Sequence, residues 1–240
     1  MHNSSGAEPP QQITEMADQL YAGRGNLRNV LRSIELLRHE DAVSYETAWR
    51  LGRALFFAGQ EAAEPGVATG LHAEGVLAGK RAVKTAATKH LTDRVEGHFW
   101  LGVNLGLLAQ LETPVKASLH ALQARRSLLK AMAIDVSYHG AGPLRVLARL
   151  QHKLPRLLGG GLARARENYE RAISVAPANT VTRIYFAELL LEFGEVDRAQ
   201  AELEAVLNAP RDPDWLFEAD RDQRLAKQML SREIKRAPAH

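Results

Sequence analysis

A repeat of 34 residues in the second half of the chain is the feature that most restricts its fold. Four positions of one segment recur 34 residues later with a similar small or apolar character: Gly160, Ala165, Tyr169 and Ala172 correspond to Gly194, Ala199, Leu203 and Val206. A proline follows each segment, Pro177 in the first and Pro210 in the second. The pattern predicts two copies of one unit, in which a glycine with positive φ forms a turn and proline ends the following helix.

A helix–turn–helix period of 34 residues is typical of tetratricopeptide repeats. Alanine lies where the paired helices of such a repeat cross closely, so we expect Ala172 and Ala199 at close helix crossings. Phe186, Ala187 and Leu190 are expected in the first helix of the last repeat. The alternative is an alanine-rich helical bundle in which the spacing is a coincidence.

The first half of the chain follows this pattern less closely. Trp49–Gly52 and Trp100–Gly102 both resemble first helices of such units, but the two tryptophans lie about 50 residues apart. We assign the excess length to an inserted loop at Gly59–Gly70, because this segment is rich in Gly, Ala and Glu and contains a proline.

The predicted architecture is an all-α, tetratricopeptide-like solenoid of helical hairpins with degenerate repeats and about ten helices. Residues 1–12 are predicted to form a disordered tail, and residues 13–240 a single helical domain that ends in a capping helix from Trp215. The predicted helices cover 13–38, 43–58, 71–90, 94–110, 115–133, 143–153, 162–176, 180–193, 196–208 and 213–236.

Composition excludes several classes of protein. The chain has no cysteine, which excludes disulfides, thiolate metal sites, thiol nucleophiles and the acylated cysteine of lipoproteins. No apolar run reaches the ~18 residues of a transmembrane helix. Met1–Gln12 contains no apolar signal-peptide segment. As written, the sequence therefore predicts a cytoplasmic protein, or a periplasmic one if the true start lies upstream.

No motif in the sequence indicates catalysis, a metal or a cofactor. Gly75–Arg81 resembles a phosphate-binding loop, but its spacing is one residue short and no Ser or Thr follows Lys80, so a helix interior is predicted. The nine histidines form no helical metal-binding pair, and no Ser-His-Asp pattern is present. We therefore expect a non-enzymatic protein without a cofactor. A net charge of +3 gives no indication of nucleic-acid binding.

Charge is distributed unevenly along the second half of the chain. Lys116–Arg166 has ten basic residues and one acid, a net +9, whereas Glu167–Asp222 has thirteen acids and five arginines, a net −8. Arg145, Arg149 and Lys153 occupy one face of a predicted helix and are candidate ligand- or interface-binding residues. The alternatives are a solvated face, or pairing of these basic residues with the acidic neighbouring helix of the same chain.

Three segments are more specific than a general tetratricopeptide consensus: Val95–Gly106 (VEGHFWLGVNLG), Tyr138–Leu147 (YHGAGPLRVL) and Lys153–Gly160 (KLPRLLGG). Together they resemble the T component of TRAP transporters, the TatT family, over about Ala17–Pro210. The resemblance implies degenerate helical repeats, a helix-lined apolar cavity or pore, trimer formation and association with a periplasmic substrate-binding protein of a carboxylate transporter. Members of that family look like periplasmic lipoproteins, and the present sequence departs from them in having no leader and no cysteine.

Two functions follow as expectations. The first is a transport accessory that binds a small apolar or carboxylate ligand and docks a substrate-binding protein. The second is a cytosolic adaptor that binds a peptide in a concave groove. In either case we expect a protein partner, no nucleic acid and a homo-oligomer. We expect a trimer in which the acidic stretch of one copy meets the basic stretch of another and which loosens at high salt.

Overall fold

The protein is helical throughout the part that the structure, a computed structural model, describes, which is residues 10–38 and 44–236. The predicted fold class is confirmed, since helices packed as hairpins make up this part of the chain and no strand occurs in it. The eleven helices within these ranges are α1 (Pro10–Ala22), α2 (Leu27–Arg38), α3 (Tyr45–Glu61), α4 (Pro65–Thr88), α5 (Glu96–Leu111), α6 (Pro114–Ile134), α7 (Tyr138–Lys153), α8 (Leu162–Val175), α9 (Thr180–Glu192), α10 (Val196–Leu207) and α11 (Leu216–Arg236).

The described residues group into two compact units, divided within α6 between Ser127 and Leu128. In the first unit α3 contacts α1 on one side and α5 on the other in one layer, and α2 and α4 pack against this layer. In the second unit α7, α9 and α11 form one layer, against which α8 and α10 pack. A single domain over 13–240 stays a prediction. The predicted tail lies mostly outside the described residues, and α1 begins at Pro10.

The 34-residue repeat is confirmed in the second unit. All six apolar residues of the two aligned segments have 0% exposure: Ala165, Tyr169, Ala172, Ala199, Leu203 and Val206. Phe186, Ala187 and Leu190 of α9 are buried against the same core, as expected for a first helix. The 3-10 turn Pro213–Trp215 leads into α11, which packs on α9 and α10 at the end of this unit.

The two repeat glycines serve different purposes. Gly194 has φ +74, the left-handed conformation expected of a turn glycine. The expectation of positive φ was wrong for Gly160, because the left-handed residue of that turn is Gly159, with φ +89. Gly160 is required by space instead, since a Cβ there would lie 1.7 Å from the Leu154 carbonyl oxygen.

The inserted loop predicted at Gly59–Gly70 is wrong. Helix α3 continues to Glu61 and α4 begins at Pro65, so the excess length extends a hairpin. Its glycines allow close packing, since a Cβ on Gly59 would lie 2.5 Å from the His72 ring and one on Gly79 would lie 2.8 Å from Leu101 Cα. The same close packing explains why the segment resembling a phosphate loop is a helix interior, as predicted.

Two further boundaries differ from the predictions. The helix predicted over 13–38 is interrupted at residues 23–26, giving α1 and α2. The helix predicted over 143–153 has an additional turn at its start, where residues 139–141 adopt left-handed φ and ψ angles. Regular helix then begins near Pro143, because proline fits the first turn of a helix, where its missing N–H has no partner to lose.

Candidate functional site

The left-handed turn at residues 139–141 is held by a buried arginine. Arg145 is only 6% exposed and donates from Nη1 to the Gly140 carbonyl oxygen at 2.8 Å and to Asn179 Oδ1 at 3.3 Å. Asn179 also caps α9, because its Oδ1 accepts the backbone N–H of Thr182 at 3.0 Å. The first residue of the predicted stripe therefore joins the start of α7 to the start of α9.

Arg145 forms no ion pair within the described part of the chain. Among the described residues no carboxylate lies within 4 Å of its guanidinium, and its acceptors there are carbonyl, amide and imidazole atoms. Burial lowers the pKa of Arg145, and the nearby charge of Asp222 opposes that effect. Arg145 is thus a buried cation that neutral acceptors solvate.

The next two residues of the stripe pair with acids on α9. Arg149 forms an ion pair with Glu188, and its guanidinium lies 4.2 Å from the centre of the Tyr185 ring. Lys153 Nζ lies 3.2 Å from Glu192 Oε1 and 3.9 Å from Glu188 Oε2. Because Tyr185, Glu188 and Glu192 follow helical spacing, a basic stripe on α7 faces an acidic and aromatic stripe on α9.

A buried histidine lies beside this pairing. His152 has no side-chain exposure, and its Nε2 lies 2.8 Å from Glu192 Oε1. Burial lowers the pKa of His152, while the hydrogen bond to Glu192 opposes that shift. The ring packs edge-to-face on Tyr169, and His152 Nδ1 has no hydrogen-bond partner among the described residues.

The predicted residues Arg145, Arg149 and Lys153 lie together on α7 and face α9. Arg149 and Lys153 pair with acids of that neighbouring helix, whereas Arg145 reaches the amide of Asn179 at its start. Binding of a ligand or a subunit by these three residues stays a prediction. Lys153 is the most accessible of them, with 48% of its side chain exposed.

Sequence reasoning missed a second charged cluster, which lies on α1 and α3 of the first unit. Asp18 pairs with Arg50 at 2.9 Å and with Arg53 at 2.5 Å. The two guanidiniums lie over aromatic rings, Arg50 at 4.3 Å from the Trp49 ring centre and Arg53 at 4.0 Å from that of Tyr21. The sequence did contain a signal for this cluster. Arg50 and Arg53 are three residues apart, and Arg53 follows Trp49 by four, which places the two arginines beside the tryptophan on one side of a helix.

Glu46 extends that cluster to Arg94, in the turn before α5. Its carboxylate accepts from Trp49 Nε1 at 2.9 Å and pairs with Arg50 at 2.6 Å and Arg94 at 2.8 Å. Burial alone raises the pKa of Glu46, but hydrogen bonds from Trp49 and Arg50 outweigh it and hold that pKa below its usual value. The cluster is a nearly neutral network that joins α1, α3 and the turn before α5.

Neither cluster brings together the side chains of a metal site. No group of three or more His, Asp or Glu side chains able to hold a metal occurs in the described ranges. None of the helices in those ranges is long and apolar enough to cross a membrane. The paired stripes of α7 and α9 hold the two helices together through ion pairs.

Comparisons with known proteins agree with this architecture. A sequence model of the family described as TRAP transporter T-component matches residues 45–235. A crystal structure of a thermophilic TPR protein of Thermus thermophilus superposes with a TM-score of 0.59 at 21% identity, covering 89% of this chain and 98% of that one. A crystal structure of MamA superposes with a TM-score of 0.50 at 18% identity, covering 81% and 94% respectively. These structures show the fold alone. No curated protein sequence matches the chain significantly.

Proposed function

The chain belongs to the TRAP transporter T-component family, and on that premise we propose that it is a non-enzymatic accessory protein that docks the substrate-binding protein of such a transporter. The observation that carries the proposal is the extent of the match, which covers residues 45–235 and therefore helices of both compact units. Stacked helical hairpins present extended surfaces that suit the recognition of another folded protein.

The internal ion pairs suit a docking function. Arg149, Glu188 and Arg50 are each engaged by partners in their own unit. Paired charges that are partly buried hold neighbouring helices in register, which keeps an interaction surface in one shape.

Purified substrate-binding protein of a TRAP transporter from the same organism is the probe that tests this proposal. Titration calorimetry should detect saturable binding at micromolar concentration or tighter. A substrate-binding protein of an unrelated ABC transporter serves as the control and should give no heat of binding. If both proteins fail to bind while an extended peptide does, the alternative function of a tetratricopeptide adaptor replaces the proposal.

A small carboxylate ligand is the finer part of the proposal, and Arg145 supports it because this buried cation has no ion pair among the described residues. A carboxylate reaching this guanidinium would give it the counterion that the described residues do not supply. Thermal melts with small mono- and dicarboxylates should show a concentration-dependent rise in Tm in the wild type and none in Arg145→Met. The variant Lys153→Met is the control, and it should retain the rise. An equal response of all three proteins would remove Arg145 from the ligand site.

A further inference from the structure

The outer face of α6 has an unusual distribution of apolar side chains within the first unit. Within this unit the side of the helix that is turned inward carries small residues, Ala121 and Ala124, both with 0% exposure, and the first large aliphatic residue on that side is Leu128, just past the unit boundary. The opposite side carries Val115, Leu119 and Leu122, which are 75%, 56% and 41% exposed. Helical spacing of four and three residues places these three aliphatic side chains in one stripe along two turns. A surface helix normally shows the reverse arrangement, with its large aliphatic residues buried.

Basic side chains border this aliphatic stripe. From Thr113 to Ser127 the chain has three cations and no carboxylate. Lys116 and Arg126 are exposed, and neither has an ion pair among the described residues. The acid just before this segment, Glu112, lies beside His120, with 2.7 Å between Oε2 and Nδ1. The stripe is therefore apolar at its centre and positively charged, without compensation, at its edge.

We propose that this face of α6 is the surface on which the chain docks its protein partner, through a patch of that partner with apolar side chains at the centre and carboxylates at the edge. The inference rests on the proposed function, which supplies the substrate-binding protein as partner. A contiguous exposed apolar stripe marks an interaction site on a soluble protein. The basic edge selects an acidic partner, because opposite charges steer association and fix its register.

The same face suits a membrane surface less well. Helices that lie in the membrane interface usually insert aromatic side chains next to their aliphatic ones. Helix α6, Pro114–Ile134, contains no Phe, Trp or Tyr. Three aliphatic residues over two turns match the central contact of a protein interface, in which a few buried side chains contribute most of the binding.

The apolar part of the surface is tested with the double variant Leu119→Ser/Leu122→Ser. Leu77→Ser on α4 is the matched control, because it removes an aliphatic side chain that is 61% exposed from another helix. Binding of the purified substrate-binding protein should weaken about tenfold or more in the double variant and less than about twofold in the control. Both variants should melt within a few degrees of the wild type, because the substituted residues are exposed.

The basic part is tested with Lys116→Glu/Arg126→Glu. Lys80→Glu/Lys84→Glu on α4 reverses the same number of exposed charges and is the matched control. The α6 variant should bind about tenfold more weakly at low salt, and the difference should shrink several-fold at about 0.5 M salt, because screening removes attraction between exposed charges. The α4 variant should follow the wild type.

The outcomes separate this inference from the function on which it rests. If the wild type does not bind the substrate-binding protein, the proposed function is wrong, and the inference that α6 docks this partner is wrong with it. If the wild type binds and both α6 variants bind equally well, the proposed function stands and the inference is wrong. Retained binding of the partner together with lost binding of phosphatidylglycerol vesicles assigns the face to a membrane instead. Retained binding together with lost self-association in light scattering assigns it to a second copy of the chain.

Discussion

Arg149 of α7 and Glu188 of α9 form an ion pair across the layer of first helices, and the guanidinium also lies 4.2 Å from the centre of the Tyr185 ring. The two side chains are 28% and 29% exposed, so the pair is partly shielded from water. The residues are 39 positions apart in the chain, and their pairing joins two successive hairpins of the second unit. The burial of Arg149 disfavours its charged form, whereas Glu188 outweighs that effect and raises the pKa of the guanidinium.

This pair should contribute measurably to stability. We expect Arg149→Met to lower the free energy of unfolding by about 1–3 kcal/mol, because Glu188 is left without its partner in a partly buried site. A double-mutant cycle with Glu188→Gln in urea unfolding should give a coupling of about 1 kcal/mol. The exposed pair Arg211–Asp220, at 52% and 48% exposure, is the control and should couple by less than about 0.5 kcal/mol. Equal coupling energies for Arg149–Glu188 and Arg211–Asp220 would contradict a larger contribution of the partly buried pair to stability.

Glycine-to-alanine substitutions should have opposite signs at two positions. Gly160→Ala should destabilise the protein by about 2–4 kcal/mol, because the added Cβ would lie 1.7 Å from the Leu154 carbonyl oxygen and the backbone has to move. Gly70→Ala should stabilise it by about 0.5–1 kcal/mol, because Gly70 lies inside α4 with no atom within 4 Å of the new Cβ. Chemical denaturation measures both. A stabilising Gly160→Ala would show that the turn has room for a Cβ next to the Leu154 carbonyl oxygen.

Stability should fall in mild acid through His72. This side chain is 1% exposed, and its Nδ1 lies 3.2 Å from Asn104 Oδ1. Burial lowers the pKa of His72 in the folded protein below the ordinary value of 6.5, and the Asn104 hydrogen bond only partly opposes the shift. The unfolded chain therefore binds the proton more readily, so stability is present above pH 6.5 and is lost as pH falls from there toward the folded pKa.

The measurement is urea unfolding of the wild type and of His72→Gln between about pH 5 and 7.5. The variant should lose part of the pH dependence, because glutamine keeps a hydrogen-bonding group near Asn104 but does not titrate. Other histidines affect both proteins alike, so the difference between the two curves isolates His72. Parallel curves would mean that His72 titrates equally in both states.

Self-association remains a prediction, and the structure reduces the dependence on salt that we expect for it. The resemblance implies a trimer, and the opposite charges of the two stretches predict that it loosens at high salt. Arg149 and Lys153 meet Glu188 and Glu192 within one unit, whereas Lys116 and Arg126 of the same basic stretch are exposed and have no ion pair among the described residues. Light scattering should therefore detect an oligomer at micromolar concentration whose mass falls at high salt. A monomer at low salt would contradict self-association, and a mass unchanged at high salt would contradict the contact between charged stretches.

The parts of the fold that depend on local periodicity could be predicted residue by residue. Ala165, Tyr169, Ala199 and Leu203 all lie in the core at the places that the 34-residue period assigned to them. Each repeat packs against its neighbour in the same geometry, so small and large residues recur at the same spacing. Trp49 and Trp100 were recognised as members of first helices from their local Trp-to-Gly segments instead, since they lie about 50 residues apart.

The glycine-rich stretch from Gly59 was misassigned because composition does not distinguish a flexible loop from a close helix crossing. A glycine allows a turn when its φ is positive, and it allows close approach when another chain segment lies over its missing Cβ. Gly194 is of the first kind and Gly59, beneath the ring of His72, is of the second. The difference lies in the neighbouring helix, which the local sequence does not contain.

The sequence by itself determined the helical class, the repeat period, most of the core and the basic stripe on α7. Only the tertiary structure decided that Arg145 holds a left-handed turn, that Arg149 and Lys153 meet acids on α9, and that Leu119 and Leu122 point to solvent. Helical spacing places residues on a common face because the backbone geometry is local. Which face is covered, and by what, depends on contacts between residues far apart in the chain, and these form only when the hairpins pack.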